Sequence, residues 1–145
     1  MIREHYPLER LTPYNAYRFE SIGLRGVIQK FVLFEKMEND NFNLAFGDII
    51  DGRTVDNVVS NNHDIEKTVS TVVKAVHLFF KENPNAKVEF DAVDERRLKL
   101  YNRIFSRRYI EIIGDFAVYG FKDGIKETYS PSSIYTKFEI SLKQA

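Results

Sequence analysis

Cysteine is absent from the 145-residue chain, and with it go disulfides, thiolate nucleophiles and cysteine-based zinc sites. Its absence does not by itself name a compartment. Tryptophan is also absent and methionine occurs twice, so twelve phenylalanines and eight tyrosines, beside many valines, isoleucines and leucines, must fill the core. A hydrophobic fraction of 43% excludes a disordered chain. No window approaches the roughly 20 apolar residues of a membrane-spanning helix, and the opening MIREHYPLER has no apolar stretch. A cytoplasmic protein with no membrane attachment is the resulting expectation. Neither sign of charge is in excess, since 21 lysines and arginines balance 21 aspartates and glutamates, so a charged partner must be met by a local patch. Only four prolines occur, Pro7, Pro13, Pro84 and Pro131, and no linker or repeat interrupts the chain. The length suits a single domain over 1–145, with 1–15 as an irregular lead-in.

What is present reads as strands, then helices and strands in alternation. Residues from Ala16 to Glu20 alternate with period two, and Gly23 and Gly26 bracket a turn. The stretch Val27 to Lys36 is apolar enough to predict a central strand covered on both faces. Phe42, Leu44 and Phe46 define a third strand, and Asp51-Gly52 predicts a hairpin turn into a fourth, Val55 to Ser60. Ile65, Val69, Val72, Val73, Val76, Phe79 and Phe80 recur at three- and four-residue steps, which predicts a long amphipathic helix with Val73 and Phe79 central to its buried stripe. Asn61 or Asn62 can cap its start and Asn83-Pro84 ends it. A strand over Lys87 to Val93 follows, paired in parallel with Val55 to Ser60 across the helix. Asp94 then caps a second amphipathic helix with Arg97, Leu98, Leu100, Tyr101, Ile104 and Phe105 on one flank. Strands over Tyr109 to Ile113 and Asp115 to Lys122, an Asp123-Gly124 turn, and an alternation through Ile134, Phe138, Ile140 and Leu142 close the chain.

The predicted class is α/β (α+β), a mixed and mostly antiparallel sheet with two amphipathic helices in the order β-β-β-β-α-β-α-β-β. This order resembles the core of the GNAT acyltransferases, in which a fourth strand runs into a pyrophosphate-binding loop and helix, then strand, helix and closing strands. Leu100-Tyr101 is similar to a pair in that superfamily's penultimate helix. Through Asn43-Leu44-Ala45-Phe46-Gly47-Asp48, Ser60-Asn61-Asn62 with Asp64, and Leu100-Tyr101, the chain also resembles a small uncharacterised bacterial family of about this length. The GNAT likeness implies a coenzyme loop at Ser60, Asn61 and Asn62 and a general acid at Tyr101. Two departures weigh against an enzyme. The loop Ser60-Asn61-Asn62-His63-Asp64 lacks the glycines that let backbone N–H groups close on a pyrophosphate, and Asp64 and Glu66 bring negative charge to the helix start. Gly23 and Gly26 leave no room for the helices that help form the acceptor site. A tyrosine on an apolar stripe such as Tyr101 is, moreover, ordinarily core.

Other chemistry is sparse. His5, His63 and His77 stand far apart in sequence, and Asp48, Asp51, Asp56, His63 and Asp64 lack the alternation of a calcium loop, so no metal is expected. Ser60, Ser70, Ser132 and Ser133 lack a nucleophile elbow. One charge anomaly stands out: residues 94–108 hold six cations, Arg96, Arg97, Lys99, Arg103, Arg107 and Arg108, against Asp94 and Glu95, a local net charge of +4. A solvated face explains it most simply. An acidic protein partner bound by Arg96, Lys99, Arg103 and Arg107 is the functional alternative, and nucleic acid ranks last because no stacking aromatics share that flank. The leading expectation is therefore a non-catalytic GNAT-like interaction module without a cofactor. An atypical acyl-CoA-dependent N-acyltransferase and a nucleic-acid-binding domain using 94–108 are the alternatives.

Overall fold

The computed structural model describes residues 4–11, 15–55, 61–92 and 94–143. Among these, strands β1 (Glu9–Leu11), β2 (Ala16–Gly23), β3 (Gly26–Lys36), β4 (Asn41–Ile50) and β5 (Arg53–Val55) precede helix α1 (Ile65–Glu82). Then come β6 (Lys87–Asp91), α2 (Glu95–Arg107), α3 (Tyr109–Asp115), β7 (Phe116–Lys122), β8 (Ile125–Thr128) and β9 (Lys137–Leu142). The class read from the sequence, mixed α/β with mostly antiparallel strand pairing, is the one found. Both Asp-Gly turns form as predicted. Asp51-Gly52 joins β4 to β5 with φ of 51° and 75°, and Asp123-Gly124 joins β7 to β8 with φ of 53° and 76°, the double positive φ that this dipeptide tolerates best.

The chain forms two compact units. The first comprises Met1–Glu35 with Ala45–Glu82, and its strands pair in the order β1-β2-β3-β4, with β5 on β4. Successive strand residues point to opposite faces, so Lys30, Val32 and Phe34 share one face of β3. Phe34 stacks on Phe79 with ring centroids 4.1 Å apart, which identifies that face as the one covered by α1. Val69, Val72, Val76, Phe79 and Phe80 are buried, as their spacing predicts. Val73 is not central: it is half-buried at the stripe's edge, because the covered arc is shifted toward Thr68, Thr71 and Ala75. Thr71 shows why a hydroxyl is buried there. It donates to the Lys67 carbonyl at 2.7 Å and accepts the Tyr6 N–H at 2.9 Å, tying the N-terminal segment to α1. The lead-in is consequently less irregular than expected, and Glu9–Leu11 pairs with β2 as β1.

The second unit comprises Lys36–Leu44 with Asn83–Ala145, and its strands pair in the order β4-β6-β9-β7-β8. Asn41, Phe42 and Asn43 run parallel to Lys87, Val88 and Glu89; the remaining pairs are antiparallel. This corrects the expected parallel partner of Lys87 to Asp91. Over Lys87–Glu89 that partner is Asn41–Asn43 of β4; residues 56–60, most of the expected partner, lie outside the described set, as does Val93. A second correction concerns Tyr109 to Ile113, expected as a strand from its β-branched content. The N–H of Arg108 bonds to the Ile104 carbonyl and the N–H of Ile112 to the Arg108 carbonyl, so the helical ladder passes almost unbroken from α2 into α3. Ile134, expected in the closing alternation, precedes β9 and is 72% exposed. The core is aromatic: Phe105 stacks on Phe138 at 4.2 Å, and Phe90 meets both Phe105 and Tyr101 edge to face.

Candidate functional site

The loop before α1 is the first candidate. Ser60 lies outside the described residues. Asn61 accepts the N–H of His63 through its own side chain at 2.9 Å, which supports His63 at a φ of 60° where a glycine would be the easier residue. Asn62 is 1% exposed and committed to the β2/β3 hairpin. Its Oδ1 accepts the Arg25 N–H at 2.6 Å, its Nδ2 donates to the Gly26 and Ser21 carbonyls at 2.9 and 3.2 Å, and its main-chain oxygen accepts the Leu24 N–H at 3.2 Å. Asp64 completes the knot, its Oδ2 accepting from Ser21 Oγ at 2.5 Å and from the Tyr6 hydroxyl at 2.6 Å. Burial works against the Asp64 charge. Hydrogen bonds from Ser21 and Tyr6 outweigh it and hold the carboxyl below the usual range. Tyr6 responds in the opposite sense, its phenol raised by burial and then by the hydrogen bond to Asp64. The start of α1 therefore carries its own anion, and the amide of Asn62 is occupied in shaping a turn.

Sequence reasoning passed over a buried ion pair in the same unit. Lys30 Nζ lies 2.7 Å from Asp48 Oδ1, with side chains 2% and 3% exposed, and 5.6 Å from the centre of the Phe46 ring. A signal for it existed: Lys30 interrupts an apolar run whose both faces were expected to be covered, so its ammonium had to find a carboxylate inside. Such a pair roughly offsets its own desolvation, whereas removing one partner alone is costly. Asp48 is paired to Lys30 and Asp64 is bound by Ser21 and Tyr6, in different contacts, while Asp51 is exposed in its turn and Asp56 lies outside the described set. Among the described residues no three His, Asp or Glu are grouped to hold a metal ion.

Helix α2 is the remaining candidate. Asp94 caps it, accepting the Arg97 N–H at 2.8 Å and pairing with the Arg97 guanidinium at 2.5 Å. The backbone hydrogen bond and then the Arg97 charge prevail over burial and hold Asp94 below the ordinary carboxylate range. Arg97 is 2% exposed and runs inward beside Tyr101. Tyr101, the candidate acid, is itself 2% exposed, its ring 5.6 Å from that of Phe90. Burial pushes its phenol up to about 12, against the opposing effect of Arg97. Arg108, at the α2/α3 junction, is buried and sits 3.5 Å from Glu111. The six cations read as one basic helix thus divide. Arg97 and Arg108 are internal, while Arg96, Lys99, Arg103 and Arg107 are exposed. Asn102, between them, donates to the Tyr135 carbonyl at 2.8 Å and accepts the Tyr135 N–H at 3.0 Å, fastening the segment before β9 to the helix. The outer flank is a row of four exposed cations beside Glu95, which approaches Lys99 at 3.7 Å.

A family model described as a family of unknown function (DUF6934) matches residues 2–143 of this chain. No curated protein and no solved structure matches it.

Proposed function

The chain belongs to that family of unknown function, and we propose that it is a non-catalytic, GNAT-like interaction module that binds an acidic protein surface through the outer flank of α2. The GNAT likeness rests on the chain order β4, α1, β6, α2 and closing strands. We take 1–145 as one domain, because β4 contributes residues to both compact units. One observation carries the functional reading: Arg96, Lys99, Arg103 and Arg107 are exposed on the helix whose Arg97, Tyr101, Ile104 and Phe105 are buried. A row of this kind meets a complementary anionic surface without any rearrangement of the fold, and steers encounter as well as holding it. The other candidate residues argue for the same conclusion. Asn62 is consumed by the hairpin, Asp64 brings a carboxylate to the start of α1, which disfavours an anion there, and Tyr101 is enclosed by the core.

The test is capture from lysate by immobilised full-length chain, compared with a variant in which Arg96, Lys99, Arg103 and Arg107 are all glutamine. A discrete acidic protein retained by the parent and lost by the variant supports the reading. Retention by both, or salt-sensitive binding of an oligonucleotide by the parent alone, overturns it.

A further inference from the structure

We propose that the tip of the β2/β3 hairpin and the recess beside it form a self-complementary surface through which two copies of this chain associate. The tip is apolar and open: Leu24 is 80% exposed, Ile22 60% and Val27 59%. Ile22 and Val27 are register partners, so their side chains lie side by side on one face of the sheet. Leu24 projects from a turn whose backbone is held by Asn62, which receives the Leu24 and Arg25 N–H groups and donates to Gly26. A turn whose backbone is already held loses less conformational freedom on docking than a loose one.

A shallow hole lies next to the knob. Val27, Ile28 and Gln29 of β3 and residues 48–52 line an open recess of about 520 Å³, with Ile50, 44% exposed, on its rim. Knob and hole share Val27. Their charges also differ in sign: exposed Arg25 follows Leu24 at the tip, and exposed Asp51 lines the recess. A two-fold axis near Val27 brings Leu24 of each copy to the recess of the other and Arg25 to the opposing Asp51, the reciprocal arrangement that a two-fold dimer requires. An unrelated partner would need neither the hole nor the opposite charge on this same patch. The surface is small, so the dimer is reversible and belongs to the low end of interface sizes, below about 1,200 Å².

Sedimentation of the full chain from about 10 µM to about 1 mM reads this directly, the range in which weak association is populated. The parent should shift from monomer to dimer and no further. Leu24→Glu should remain monomeric throughout while melting like the parent, since its site is solvent. Arg25→Glu should weaken the dimer about tenfold by facing Asp51, and adding Asp51→Asn, which keeps a residue tolerant of positive φ, should recover part of that loss. A parent that is monomeric over the whole range, leaving the tip to solvent or to an unrelated protein, overturns the proposal. So does a dimer indifferent to Leu24→Glu or to Arg25→Glu.

Discussion

The carbonyl oxygen of Asn62 lies 1.9 Å from the position a Cβ on Gly23 would occupy, so the backbone before α1 fills the space of any side chain at 23. Gly23→Ala should therefore force the hairpin and the loop apart. Asn62→Ala removes the partner of the Arg25 N–H, the Gly26 carbonyl and the Ser21 carbonyl, of which the buried Ser21 group costs about 1–3 kcal/mol. Both variants should melt several degrees below the parent. Asn62→Asp keeps the acceptor for Arg25 but sets a buried carboxylate oxygen against the Gly26 and Ser21 carbonyls, and should melt no higher than the alanine variant.

Asp64 gives the fold an acid-side dependence. Its pKa is lower folded than unfolded, so its contribution to stability is complete above the unfolded value of about 3.9. That contribution falls as pH drops toward and through the lower folded value. Asp64→Asn should lower stability at neutral pH and flatten the loss between about pH 5 and pH 2. Urea unfolding at stepped pH checks this; a variant with the parent's acid slope assigns the dependence to other carboxylates.

The buried stripe of α1 predicts unequal alanine scans. Phe79, 1% exposed and stacked on Phe34, should cost about 3–5 kcal/mol on truncation, whereas Val73, half-buried at the edge, should cost clearly less. Equal melting losses at the two positions would contradict the observed helix phase.

These contrasts also mark how far the sequence was legible. The period of Val69, Val72, Val76 and Phe79 and the two Asp-Gly turns are local signals, and each produced its element. Tyr109 to Ile113 misled because β-branched residues favour strands in isolation, while the continuing hydrogen bonds from α2 decide the matter in the fold. β1 has three largely exposed residues and no alternation to detect; its pairing follows from Tyr6 being held by Thr71 and Asp64. Helical spacing already put Arg97 on the apolar flank of α2 and Arg96, Lys99, Arg103 and Arg107 on the other; the inward turn of Arg108 and the ion pairs were not legible. Charge alone does not say that Arg97 turns in to Asp94 and Arg108 to Glu111, which only the packing of α2 and α3 determines.

Acetyl-CoA should leave the melting temperature unchanged at millimolar concentration. A ligand present at 100 times its dissociation constant adds about 2.7 kcal/mol, several degrees for a chain of this size. An upward shift competed by CoA would revive the acyltransferase alternative.

The most direct test of the α2 flank is a titration of the captured acidic protein against the parent and against the variant carrying glutamine at Arg96, Lys99, Arg103 and Arg107. All four positions are exposed, so the substitutions should alter stability by about 0.5 kcal/mol or less each, and both proteins enter the titration folded. The account predicts at least tenfold weaker binding by the variant and an affinity for the parent that declines with added salt. Equal affinities for the two proteins would contradict it and leave the four cations as a solvated face.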